Sequence, residues 1–150
     1  MLLEWPIGSA TIRLGISADE PVRVIGVDPP DADIGADRPA AIPLVELELG
    51  AEGRTGSSLN GQHRLYAAST RLRYVTHQET IEPPGRVLRI VQRDPVTGVE
   101  VTSRLEHRDG ATAARAQTLM ENRGRAPVTL RYVSSLNLAG FTGEPVGADP

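Results

Sequence analysis

The sequence has 150 residues, a length that suits one domain. It carries 16 basic residues, all arginine, against 19 acidic ones, and the net charge of −3 argues against a general binder of nucleic acid or anionic membranes. The absence of cysteine excludes disulfides, thiolate nucleophiles and cysteine-zinc sites. The N-terminus shows no secretory signal, and no segment approaches the roughly 20 apolar residues of a membrane span. We therefore expect a cytoplasmic protein.

The first part of the chain alternates short strand patterns with long polar loops. Residues 10–16, 21–27 and 44–49 have the strand pattern, which predicts three strands. Residues 28–39, with four aspartates and three prolines, and residues 50–61, with four glycines, are predicted loops. Long loops beside regular strands are where function usually resides.

From residue 64 onward the strand patterns lie closer together. Strands are predicted at 64–68, 70–78, 86–93 and from 99 to at least 105, with turns at 83–85, 94–98 and 107–110. The Asp-Gly pair that ends the last of these turns is a strong hairpin signal.

Residues 111–122 are ambiguous. Their alanine, arginine, glutamine and leucine content favours a helix by intrinsic propensity. Their length, however, fits a strand between two hairpin turns, and both neighbouring segments are strands. We predict a strand here.

Residues 126–139 show the longest alternation in the chain. One face is expected to be buried, and it consists of Val128, Leu130, Tyr132, Ser134, Leu136 and Leu138. The segment follows a sharp Asn-Arg-Gly-Arg turn. It predicts a long strand with one buried face.

These patterns together predict the fold class. Strands at intervals of 8 to 13 residues, with no helix between them, favour antiparallel pairing. We predict an all-β protein, an antiparallel β-sandwich with few or no helices. Residues 1–150 are expected to form a single domain, with 139–150 as a linker-like tail.

No catalytic constellation stands out in the sequence. Glycoside hydrolysis needs two carboxylates around one bond, but the Glu46 and Glu48 pair has the spacing of any two residues on one strand face. The aspartates of the 28–39 loop lack the spacing of a calcium loop, and the three histidines have no cysteine or close acidic partner. We predict no catalytic residue, no metal and no cofactor. Trp5 is the one large aromatic platform, and it either stacks on a sugar or anchors the N-terminal strand.

Five segments follow one another in a recognisable order. They are L-R-Y-V-T-H at 72–77, V-L-R-I-V-Q-R-D at 87–94, V-E-V-T-S-R-L-E at 99–106, M-E-N-R-G-R-A-P-V-T-L at 120–130 and S-S-L-N-L at 134–138. This series resembles the N-terminal β-supersandwich domain of family 36 glycoside hydrolases, the family of the microbial α-galactosidases. The similarity covers residues 64–138 and reaches about the middle of that domain.

The resemblance implies a function for the chain. It would be the non-catalytic N-terminal domain of an α-galactosidase-like enzyme, packing on a (β/α)8 catalytic barrel and aiding homo-oligomer formation. The parent enzyme would hydrolyse α-galactosides by a retaining, metal-free mechanism, and the chain alone would be inactive. The residues expected to lie near substrate are Trp5, Arg54 and His63, although the loop that holds Arg54 and His63 lacks the aromatic residue that family members often have.

A second interpretation belongs to a different class. The chain would then be a free-standing carbohydrate-binding or protein-interaction β-sandwich module. Under the first interpretation a sandwich cut before its last strands leaves an unpaired edge, and we expect the chain to self-associate.

Overall fold

A computed structural model describes residues 1–30, 42–50, 52 and 66–138. Within these residues the chain forms ten strands and one short helix. In chain order they are β1 (Leu2–Ile7), β2 (Ala10–Gly15), β3 (Arg23–Asp28), β4 (Ile42–Pro43), β5 (Leu47–Leu49), α1 (Ala67–Arg71), β6 (Arg73–Ile81), β7 (Gly85–Arg93), β8 (Val99–Arg108), β9 (Ala114–Asn122) and β10 (Leu130–Val133). The all-β prediction is confirmed. No helix in these ranges is long and apolar enough to cross a membrane.

The strands form three antiparallel sheets. One sheet has the order β1-β2-β3-β4, a second has the order β6-β7-β8-β9, and a small third sheet pairs β10 with β5. Every neighbouring pair is antiparallel. The sequential order inside the second sheet follows from the short turns between its strands, because a hairpin places consecutive strands side by side.

The aliphatic core lies between the two large sheets. Both contribute to one buried cluster, which includes Trp5, Ile12 and Leu14 from the first sheet and Leu88, Ile90, Val101 and Leu105 from the second. A polar contact also joins the layers, since the Val22 N–H donates to Gln92 Oε1 at 2.7 Å and both residues are fully buried. This packing defines the two-layer sandwich.

The predicted hairpins of the second sheet are confirmed. β7 and β8 pair without a register shift from Gly85 to Arg93, and the strand predicted in residues 111–122 is β9. The turn between β7 and β8 ends at Gly98, whose φ is +76°. A Cβ at this position would lie 2.7 Å from Gly124 Cα, so the turn needs glycine for both conformation and space.

Four predicted strands are partly wrong. Residues 67 and 68 of one predicted strand and residues 70 and 71 of the next belong to helix α1; a five-residue helix is too short to show helical periodicity in the sequence. Of the strand predicted over 44–49, only β5 is formed. The strand expected over 126–139 is only β10, and Leu130 and Tyr132 of its predicted buried face are about half exposed. The register with β5 shifts between these two residues, and such a bulge exchanges the two faces of a strand.

Two strands were missed, the two-residue β4 and the longer β1. β1 pairs with β2 in unbroken register from Leu2 to Ile7, and it forms the edge of its sheet. Pro6 lies inside this strand, and proline is tolerated in strands chiefly at edges. Pro6 and the two consecutive leucines, Leu2 and Leu3, interrupt the alternation of apolar and polar residues that would have predicted this strand.

Candidate functional site

A cluster of charged residues lies where α1 meets the turn between β7 and β8. Arg71 donates to Asp94 from Nε to Oδ1 at 3.1 Å and from Nη2 to Oδ2 at 2.7 Å. The same Nη2 lies 2.8 Å from both carboxylate oxygens of Glu52. Asp94 is fully buried, whereas Arg71 and Glu52 keep about a quarter of their side chains exposed. One guanidinium therefore bridges two carboxylates.

The Asp94 carboxylate also organises its own turn. It accepts the Val96 N–H at 3.0 Å and the Thr97 hydroxyl at 2.8 Å. Burial acts to raise the pKa of Asp94, but the hydrogen bonds from Arg71, Val96 and Thr97 outweigh it and lower the pKa below its usual value. In turn, the hydrogen bond to Asp94 is the main cause that raises the pKa of Arg71 above its ordinary value. Both groups stay ionised over the whole physiological range of pH.

The Arg71 cluster joins two described segments that lie on either side of the predicted glycine-rich loop in the sequence. Glu52 lies near the start of residues 50–61, and α1 begins at residue 67. Inside α1, Ser69 adds a second anchor, because its Oγ accepts the Leu47 N–H at 2.7 Å. The predicted substrate-proximal residues Arg54 and His63 belong to the loop itself and lie outside the described residues. Their role stays a prediction.

Trp5, the third residue predicted near substrate, lies in the core. Its side chain is 1% exposed and belongs to the buried cluster between the sheets. Stacking on a sugar needs an accessible ring face, and the buried indole offers none to solvent. This position favours the alternative that Trp5 anchors the N-terminal strand.

The outer face of the second sheet carries a lattice of ion pairs. Arg104 Nη2 lies 3.1 Å from Glu82 and its Nη1 lies 2.5 Å from Glu106, while Arg89 pairs with the same Glu82 at 2.5 Å. Hydrogen bonds from the arginines lower the pKa of both glutamates, that of Glu82 mainly through Arg89 and that of Glu106 mainly through Arg104. Each carboxylate here already has a cationic partner.

A second group of ion pairs lies at the other end of this face. Glu100 contacts Arg93 and lies 2.8 Å from Arg123, which also reaches Glu121 at 2.9 Å. The hydrogen bond from Arg93 is the main cause that lowers the pKa of Glu100. The face is thus rich in charge but locally neutral, which is poor chemistry for binding a charged ligand.

A shallow depression of about 350 Å³ opens at the end of the β8–β9 hairpin. It is lined by Glu106, Arg108, Ala111, Ala113, Ala114 and Arg115. The neighbouring His107 is buried, and its Nε2 lies 3.0 Å from the Ala111 carbonyl oxygen. That hydrogen bond gives His107 a structural role in the turn. The lining offers no nucleophile beside a base, so the depression lacks the parts of a catalytic site.

The other sequence candidates have structural partners as well. His77 shares a 2.7 Å hydrogen bond with the Tyr74 hydroxyl and is half-buried. Asp28, the only aspartate of the predicted 28–39 loop that is described, pairs with the buried Arg13 at 3.2 Å. In the described ranges no three histidine, aspartate or glutamate side chains converge as metal ligands.

The Arg71–Asp94 pair was not predicted from the sequence. Both residues were visible, Asp94 as the first residue of a turn and Arg71 inside a predicted strand. A signal existed in the Asp-Pro-x-Thr-Gly pattern, since aspartate at the start of a turn often bonds the backbone two residues on. The partner 23 residues earlier carried no local signal.

Comparisons with known proteins bear on the fold. No protein-family model matches the chain, and no curated protein matches it significantly. The chain is similar to the GH36 alpha-galactosidase AgaA from Geobacillus stearothermophilus, with 16% sequence identity and a TM-score of 0.55. A variant of that enzyme in complex with raffinose gives 15% identity and a TM-score of 0.56, and one in complex with stachyose gives 15% and 0.52.

This chain is much shorter than the enzyme chains that it matches. Each match covers 83% of this chain but only 22% of the enzyme chain. At this identity the likeness concerns the fold, and it agrees with the resemblance to a β-domain of family 36 glycoside hydrolases that the segment order indicated. The chain has the β-sandwich fold of one part of a GH36 α-galactosidase.

Proposed function

We propose that this chain is the non-catalytic N-terminal β-sandwich domain of an α-galactosidase-like glycoside hydrolase. The observation that carries the proposal is the shared fold over 83% of the chain, matched to about a fifth of a GH36 enzyme. The ordered sequence segments between residues 72 and 138 support the same assignment independently. The catalytic carboxylates would reside in a (β/α)8 barrel, which alone needs about 250 residues.

The state of the carboxylates supports a structural role. A glycosidase needs one carboxyl group that holds a proton at working pH, and enzymes obtain it by raising a pKa. Among the described residues, each carboxyl group with a clear pKa shift has a lowered pKa, caused by arginine partners: Glu82, Asp94, Glu100 and Glu106. These groups are suited to ion pairing and not to proton donation.

The partner of the domain would be the catalytic barrel, and β10 offers a surface for it. Leu130 is 42% exposed and Tyr132 is 45% exposed, and the Tyr132 ring lies 6.2 Å from that of Tyr66. Tyr66 caps the start of α1, the helix that ends at Arg71. Exposed apolar side chains grouped in this way are typical of surfaces that a neighbouring domain covers. The barrel contact would therefore lie near α1.

An activity assay tests the proposal. The purified 150-residue chain should not hydrolyse a chromogenic α-galactoside, whereas its gene extended through a following barrel should encode an active enzyme. Deleting residues 1–150 from that longer protein should lower activity and stability together. Turnover by the short chain would refute the proposal, and so would a full-length protein with no α-galactosidase activity.

The ligand, the oligomer and the compartment are part of the same proposal. The parent enzyme would act on α-galactosides in the cytoplasm as a homo-oligomer, with no nucleic acid or membrane partner. Titration calorimetry of the isolated chain with raffinose distinguishes the free-standing carbohydrate-binding module from the enzyme domain. Saturable binding would favour the module, and no heat of binding would favour the enzyme domain.

A further inference from the structure

β9 forms one edge of the second sheet. It pairs with β8 on one side, and in the described part of the chain no strand pairs with its other side. None of its nine residues is buried; they alternate between exposed and half-buried. An edge strand of this kind presents a row of free N–H and C=O groups that another strand can use.

Three of the usual protections of an edge strand are missing from β9. Natural edges are blunted by prolines, bulges or short length. β9 contains no proline, and its register with β8 runs unbroken over nine pairs from His107–Ala114 to Val99–Asn122. The opposite edge strand, β6, differs because its register with β7 shifts between Tyr74 and Thr76. β9 is therefore the edge that is open to pairing.

The sequence of β9 is complementary to itself. If a second copy is placed antiparallel with Thr118 opposite Thr118, Arg115 faces Glu121 of the other copy, and this happens twice. Ala116 then faces Met120, a small residue beside a large one. If two β6 strands are paired in the same antiparallel way about their central residue, His77 faces His77 and no opposite charges face each other. Charge complementarity thus selects β9, and it selects a second copy of this chain as the occupant.

The same arrangement also covers an exposed apolar side chain. Leu119 is 60% exposed on the outer face of the sheet, next to Thr102. In the two-fold pairing it faces Gln117 of the other copy, and the two Leu119 side chains become diagonal neighbours, a distance that long side chains span. On the inner face, Thr118 donates to the carbonyl oxygen of Ser134 at 2.9 Å, so that face of β9 is held by its own chain.

We propose that β9 is a homotypic docking strand, which joins two copies of this chain into one continuous eight-stranded sheet about a two-fold axis at Thr118. An isologous contact of this kind is the commonest route to a closed dimer. The inference deepens the homo-oligomer that the proposed function includes. It depends on the β9 edge alone and not on the barrel, so its test fails or succeeds separately from the activity assay.

Charge reversal tests the register. Arg115→Glu places like charges opposite each other twice in its homodimer, and Glu121→Arg does the same with the opposite sign. A mixture of the two variants restores both opposite-charge pairs in the heterodimer. Arg125→Glu is the matched control, because it makes the same charge change at an exposed position outside β9.

Sedimentation velocity from micromolar to millimolar concentration measures the dimer. We expect the wild type and Arg125→Glu to dimerise alike, each single variant to have a dissociation constant raised by about tenfold or more, and the mixture to recover wild-type affinity. Hydrogen exchange of the β9 amides should slow on dimerisation. A strictly monomeric wild type, or a mixture that associates no better than its components, would overturn the proposal. A folding defect in the single variants would not mimic the recovery.

Discussion

Replacing Asp94 by alanine removes the centre of the Arg71 cluster. The carboxylate is fully buried and accepts four hydrogen bonds, two from Arg71, one from the Val96 N–H and one from the Thr97 hydroxyl. Breaking a buried ion pair by removing one partner typically costs about 3–5 kcal/mol, since the remaining charge is left uncompensated. Arg71 keeps Glu52 and is a quarter exposed, which reduces that penalty. We expect a loss of about 3 kcal/mol in the free energy of unfolding.

Urea denaturation and thermal scans measure this loss. For a chain of 150 residues, about 3 kcal/mol corresponds to a melting temperature lower by roughly 10 °C. Two controls set the scale. Asp94→Asn keeps the volume and some acceptor capacity, so it should cost less than Asp94→Ala. Glu52→Ala removes a partly exposed partner and should cost about 1 kcal/mol or less. The reasoning is refuted if Asp94→Ala costs under about 1 kcal/mol, or if Glu52→Ala costs as much.

Three further predictions concern the core, pH and the turn. Trp5→Ala should lower the free energy of unfolding by about 3–5 kcal/mol in chemical denaturation, because the indole is buried; a near-neutral effect would contradict the anchor role. The pKa of Asp94 is lower in the folded state than in the unfolded state, where it is about 4. The ionised Asp94 therefore stabilises the fold fully above a pH of about 4, and this stabilisation is lost as the pH falls through the lower folded pKa. As the pH is lowered, the urea midpoint should consequently fall less steeply for Asp94→Asn than for the wild type. Gly98→Ala should cost more than Gly110→Ala in thermal scans, since both have positive φ but only Gly98 also lacks space for a Cβ; equal costs would remove the steric part of the argument.

The second sheet was predictable from the sequence because its turns carry strong local signals. The Asp-Pro-Val-Thr-Gly and His-Arg-Asp-Gly segments fix two hairpins, and a fixed hairpin also fixes the register of the strands beside it. No comparable signal follows residue 126. There β10 leaves the hairpin order and pairs with β5, about 80 residues earlier, and a bulge after Leu130 shifts the faces. Long-range strand pairing and bulges depend on the rest of the fold. An alternation of apolar and polar residues predicts a strand but not its partner or its bulges.

The candidate site was predictable only as a location. Composition predicts a glycine-rich loop over 50–61, but it gives no signal for the contact of Arg71 with Asp94 and Glu52, which joins three separate segments. Trp5 had two open interpretations in the sequence. A single tryptophan is ambiguous between platform and anchor until its burial is known, because the same ring serves either role.

Under the proposed function, the charge arrangement suits a supporting domain better than a catalytic one. A catalytic carboxyl group must be free to change protonation and must reach substrate, and both needs conflict with tight pairing to arginine. On the outer sheet face Glu82 is shared by Arg89 and Arg104, and in the turn Asp94 is shared by Arg71 and two neutral donors. These pairings hold strands and turns in register while leaving little local net charge. At the β9 edge, a second copy placed in antiparallel register would set its Arg115 opposite Glu121, which Arg123 of the same chain also contacts at 2.9 Å.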